Sequence, residues 1–151
     1  AQLGLVFGIT SVLNATFRPN ITSFVFSPFV TVAGISGNWT SLLIAIVPRI
    51  LLGYFSGVLF EVLKKHKVNE QLCIITASLA GAITNTVLVL GGIYFFFGEA
   101  YAKAVHVAYE VLSAVLLGVV TTNGIAEAVL GAIACLLIVK ALAPFMKKYQ
   151  K

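Results

Sequence analysis

The stretch WTSLLIAIVPRILLGYFSGVLFEVL, residues 39–63, decides the fold class. Its 25 residues carry two charges, Arg49 and Glu61, and Lys64, Lys65 and Lys67 follow at once. A bilayer core of ~30 Å takes about 20 helical residues, and a tilted helix takes up to ~25. Trp39 at one end and the lysines at the other match the headgroup-level anchors of such a span. The pattern repeats outward along the chain. Residues 72–97 form a second span that ends in the aromatic belt Tyr94-Phe95-Phe96-Phe97. Residues 125–144 form a third, followed by Lys147, Lys148 and Lys151. The apolar run 3–17 holds 15 residues, short of a full span, and stops at Arg18-Pro19-Asn20. Residues 24–35, broken by Pro28 and Gly34, read as a loop with a short helix, buried in protein or in the membrane interface. The whole, 1–151, is read as a single transmembrane helical domain: all-α, a polytopic membrane helix bundle.

Composition agrees. Hydrophobic residues make up 60% and charged residues 10%, against roughly 45–50% and 25% in soluble domains. Fifteen charged side chains cannot cover a soluble domain of 151 residues. The high apolar content also excludes disorder. The net charge of +5 is no nucleic-acid footprint, because most of the ten Lys and Arg flank apolar segments. Cys73 and Cys135 lie singly in apolar runs, so neither a disulfide framework nor a Cys/His metal site is expected, and no cofactor is. Intramembrane catalysis lacks its parts: there is no Asp, no Ser–His couple and no His-Glu-x-x-His.

Charge placement orients the chain. The lysines at 64–67 and at 147–151 should share the cytoplasmic side. An even number of crossings must separate them, and spans 72–97 and 125–144 supply two. The segment 101–120 is therefore expected to lie at the outer surface, or to enter and leave the bilayer on that side. The same parity puts Arg18 and Asn38 outside.

Three polar residues then fall at one depth. Arg49 lies 15 residues before Lys64, Asn85 lies 15 after Glu70, and Glu127 lies 13 before Lys140. At ~1.5 Å per residue, all three sit ~20–22 Å from the cytoplasmic edge. That is the arrangement of an outward-facing polar pocket. Two bland readings stand beside it. Arg49 and Glu127 are equally a structural ion pair, since an intramembrane Arg costs ~2.5–3.5 kcal/mol and needs a partner. Asn85, in Thr84-Asn85-Thr86, is equally interhelical glue. Asn123 is expected to cap the helix that begins at 125. The substrate-binding candidates are Asn85, Asn123, Glu127 and Arg49, with Trp39 and Asn14 added. The segment from Arg18 to Trp39 is expected to close over the pocket as a lid. Gly4-x-x-x-Gly8, Gly53-x-x-x-Gly57 and Ala128/Ala132 allow close helix approach, without saying to what.

The blocks GLVFGITSVLNATFRPN at 4–20, SPFV at 27–30, IVPRILLGYFSGVLF at 46–60, GAITNTVLVLGGIYF at 81–95 and TTNGIAEAVLGAI at 121–133 carry a resemblance. In order and over nearly the whole chain, they resemble the substrate-binding S components of energy-coupling factor (ECF) vitamin transporters. The pantothenate and hydroxymethylpyrimidine/pyridoxine members are most alike. The resemblance implies a six-helix fold with both termini cytoplasmic, in the plasma membrane of a bacterium. The matched blocks correspond to the family's third to sixth helices, so the first two helices, with the Ala-x-x-x-Ala face that docks the membrane partner, are expected to be missing from this sequence. It also implies a division of labour. The S component binds the vitamin from outside, topples, and delivers it by docking on a T component that two ATPases energise. This chain has no Walker A loop and would hydrolyse nothing itself. Pantothenate carries a carboxylate that would suit Arg49 or Arg18, whereas a neutral pyrimidine would suit Asn and aromatic groups. A structural membrane subunit without a ligand is the competing class.

Overall fold

A computed structural model describes residues 2–32 and 34–149, with the side chains of 123 and 143–149 outside the description. Helix α1 runs Gln2–Phe17, α2 Trp39–Lys65, α3 Glu70–Ala104, α4 Tyr109–Val119 and α5 Ile125–Tyr149. A turn of π-helix, Val120–Gly124, joins α4 to α5 without a break. Among the described residues three helices are long and apolar enough to cross a membrane: Trp39–Lys65, Glu70–Ala104 and Tyr109–Leu142. The chain is an all-α membrane helix bundle.

Two sequence expectations are corrected here. Residues 101–120 are not a separate surface element. Residues 101–104 finish α3, and 109–119 begin the last long helix. The run Glu99-Ala-Tyr-Ala-Lys-Ala104 is rich in helix formers and holds no breaker, so α3 continues past its aromatic belt. Asn123 is no N-cap either, because its backbone lies inside the π-turn. The hydroxyls of Thr121 and Thr122 donate to the Gly118 carbonyl at 3.0 and 2.8 Å, so polar residues that read as a loop sit within a helix. Two helices long and apolar enough to cross a membrane separate Lys67 from Lys147: α3 and the α4–α5 helix.

Small residues set the packing. A Cβ on Gly4 would collide with the Arg49 carbonyl oxygen, and one on Gly8 would stand 2.9 Å from Ile46 Cα. The Gly4/Gly8 face therefore seats α1 on α2 backbone. On α3, Gly81 and Gly92 instead make room for side chains of α2, those of Ser56 and Ile44. A Cβ on Gly57 would meet nothing.

Residues 18–38 form a cap over one end of the bundle. They hold a 3₁₀ turn, Ser23–Val25, and a two-residue hairpin in which β1 Thr31–Val32 pairs antiparallel with β2 Ile35–Ser36. The cap is pinned. Phe24 and Val25 are fully buried in a cluster with Ile44, Val89, Ile93 and Phe97. The Phe24 ring meets Phe97 edge-on at 5.8 Å. Ser41 both accepts from the Asn38 N–H in the capping box of α2 and donates to the Phe24 carbonyl at 2.7 Å. The hydroxyls of Thr16 and Ser27 bond at 2.7 Å, tying the cap to α1.

Candidate functional site

Helix α2 carries Pro48 in its interior, and a proline has no N–H to give the carbonyl four residues back. That carbonyl is Ile44's. Arg49 repairs the gap: its Nη1 donates to Ile44 O at 2.8 Å. The bond draws the guanidinium about one turn toward the capped end and fixes it there. Rings flank it, with Phe26 of the cap 5.3 Å and Phe7 of α1 5.8 Å from the guanidinium carbon. Arg49 is 9% exposed, and its buried Nε has no hydrogen-bond partner. No ion pair joins it to Glu127 among the described residues.

This guanidinium forms one wall of a cleft of about 250 Å³ beneath the cap. Thr22 and Phe26 roof it, and Asn85, Thr86 and Tyr101 of α3 line it. Val119, Gly124 and Glu127 close the far side. Asn85 Oδ1 is buried and lacks a partner, like Arg49 Nε. Glu127 is exposed and stands across the cleft on α5. The π-turn brings Gly124 to the wall, where a Cβ would rest 3.6 Å from Thr86 Cγ2. Such turns recur at functional sites because they widen a helix locally and re-aim its side chains. Chemically, the cleft offers a fixed cation, an amide, hydroxyls and a carboxylate. That set can bind and orient a polar acid but holds no nucleophile–base pair. Among the described residues no group of three His, Cys or Glu could hold a metal ion.

The other candidates lie elsewhere. Asn14 is exposed on α1 and lines a neighbouring cleft of about 220 Å³ with Arg18, Asn20 and Ser23. Arg49 and Phe26 belong to both clefts. Trp39, 78% exposed at the start of α2, lies outside the cleft of Asn85. The Asn123 side chain lies outside the described residues.

The chain is 38% identical over 143 residues to the pantothenic acid transporter PanT of Lactococcus lactis subsp. cremoris (strain MG1363), a match that covers 94% of this chain and 67% of that protein. The chain belongs to the pantothenic acid transporter family. No family model matches the chain, and no solved structure matches it.

Within this transporter the residues that sequence reasoning missed are Thr22, Phe26, Thr86 and Tyr101. Tyr101 was lost with the supposed break after Phe97. The breaker-free alanine run from 100 to 104 is the signal that would have kept it on α3. Thr86 flanks Asn85 and is read most simply as part of the same polar knot.

Proposed function

We propose that this chain is the substrate-binding subunit of an ATP-driven ECF-type importer and that it binds pantothenate from outside, in the cleft of Arg49, Asn85 and Glu127. The observation that carries the reading is the buried, unpaired Arg49 Nε on a guanidinium already oriented by the Ile44 carbonyl. A carboxylate supplies what that group lacks. Charge-assisted hydrogen bonds of this kind contribute ~1.5–3 kcal/mol. Pantothenate's amide and hydroxyls then have Asn85, Thr86, Tyr101 and Glu127 as partners. The similarity to PanT supports the same substrate. The lysines at 64–67 and 147–151 support a cytoplasmic C-terminus. Delivery would follow docking on a T component energised by two ATPases.

The test is equilibrium binding of labelled pantothenate to the purified chain, with pyridoxine as the neutral competitor. Pantothenate should bind and pyridoxine should not displace it. Arg49→Gln should weaken binding roughly 10- to 100-fold. Displacement by pyridoxine, with Arg49→Gln unchanged, would instead assign the cleft to a neutral ring. In liposomes, accumulation should need the T component, both ATPases and internal ATP. Accumulation by the chain alone would refute the dependence.

A further inference from the structure

Two clefts share one partition. The inner cleft holds Asn85 and Glu127; the outer one holds Ser11, Asn14, Arg18, Asn20 and Ser23. Arg49 and Phe26 line both. Each alone, at about 250 and 220 Å³, falls short of the ~300 Å³ at which small-molecule sites begin. Joined, they exceed it.

Their charges differ. The inner cleft sets Glu127 against Arg49, whereas the outer one carries Arg18 and Arg49 with no acidic residue. Asn20 commits its Oδ1 to Thr22 N, Thr22 Oγ1 and Ser23 Oγ, so it has only an N–H donor left to offer. Asn14, Arg18 and Asn20 are exposed, while Arg49 is buried. An anion that enters from solvent through this cleft therefore meets Arg18 before Arg49.

The cap is anchored as a whole, with Phe24 and Val25 fully buried and with hydrogen bonds through Ser27 and Ser41 on two sides. Phe26 is less fixed. It is half-buried, packing against the edge of that cluster, and its ring also lies on the guanidinium face. A rotation of this one side chain would join the two clefts.

We infer that the Asn14–Arg18–Asn20 cleft is an anion-capture site that takes a carboxylate from solvent and passes it to Arg49 past the Phe26 ring. This rests on the reading of the inner cleft as a carboxylate site. A capture site acts on the association rate, since steering by an exposed charge raises encounter without holding the bound state. Phe26 acts as a gate, which slows entry and exit alike.

Rapid-filtration kinetics of radiolabelled pantothenate on the full chain in nanodiscs test it. Arg18→Gln should lower the association rate about tenfold at low ionic strength, leave dissociation unchanged, and flatten the salt dependence. Phe26→Ala should raise both rates together, and Phe26→Leu should do so to a smaller extent. An unchanged association rate in Arg18→Gln, or an effect confined to dissociation, would overturn the capture site. Unchanged rates in both Phe26 variants would overturn the gate. Wild-type chain that binds no pantothenate would overturn this inference together with the function it rests on. Wild-type binding that depends on Arg49 but not on Arg18 would overturn the capture site alone.

Discussion

The capped half of the bundle and the lysine-flanked half are built differently. Under the cap, buried residues from four elements interlock: Phe24, Val25, Ile44, Ile93 and Phe97 form one cluster, and Ala102, Leu112 and Leu116 adjoin it. Toward the lysines the helices diverge around a cleft of about 620 Å³ lined by Leu52, Ile74, Ala77, Gly131 and Cys135. The candidate site lies in the half that has its own core. A binding site needs groups held to fractions of an ångström, and only interlocked side chains provide that.

The contrast can be broken by matched truncations. Phe24→Ala should destabilise the protein by ~3–5 kcal/mol, because a fully buried ring leaves a cavity. Leu137→Ala, at a side chain 62% exposed, should change stability by no more than ~0.5 kcal/mol. Unfolding in mixed detergent micelles measures both, and equal losses would erase the distinction between the halves.

A second pair separates architecture from binding within the capped half. Arg49→Ala leaves the Ile44 carbonyl without a donor inside the membrane, at a cost of ~1–3 kcal/mol. Pro48→Ala on that background restores a backbone N–H to the same carbonyl. The double variant should regain stability to within ~1 kcal/mol of wild type yet remain unable to bind pantothenate. Recovery of binding would show that the guanidinium serves the helix alone.

The smallest effect concerns the glycine faces. Gly57→Ala should shift stability by less than ~0.5 kcal/mol, since a Cβ there meets nothing. Gly8→Ala forces a Cβ to 2.9 Å from Ile46 Cα and should cost ~1–3 kcal/mol. A costly Gly57→Ala would reveal a packed surface where the helix stands open.

The fold class was legible because a bilayer imposes a length on every span, and residues 39–63 display it with anchors at both ends. Counting residues from the lysines also placed Arg49, Asn85 and Glu127 at one level, and the three line one cleft. Depth along a helix is a sequence property, but rotation about its axis is not. Counting therefore could not tell that Arg49 bonds its own helix rather than Glu127, or that Asn14 lies across the partition from Asn85. The end of α3 and the π-turn were misplaced for a related reason. Thr, Asn and Gly interrupt a hydropathy profile whether or not they interrupt a helix, and here the Thr121 and Thr122 hydroxyls satisfy the Gly118 carbonyl from within it.

The connections at 66–69 and 105–108 are four residues each, and both turn through a left-handed residue, Lys67 and His106, each at φ 57°. In each, the next N–H reaches back to close the helix before it: Val68 to Leu63 O at 3.2 Å, and Val107 to Ala102 O at 3.0 Å. Four residues span at most ~14 Å even when fully extended, and these are curled. Three long helices so stitched can piston past one another by a helical turn only if these closures break. A movement of the cleft that keeps these closures carries the stitched helices together, as a lever turns about a fulcrum rather than as a drawer slides from a chest.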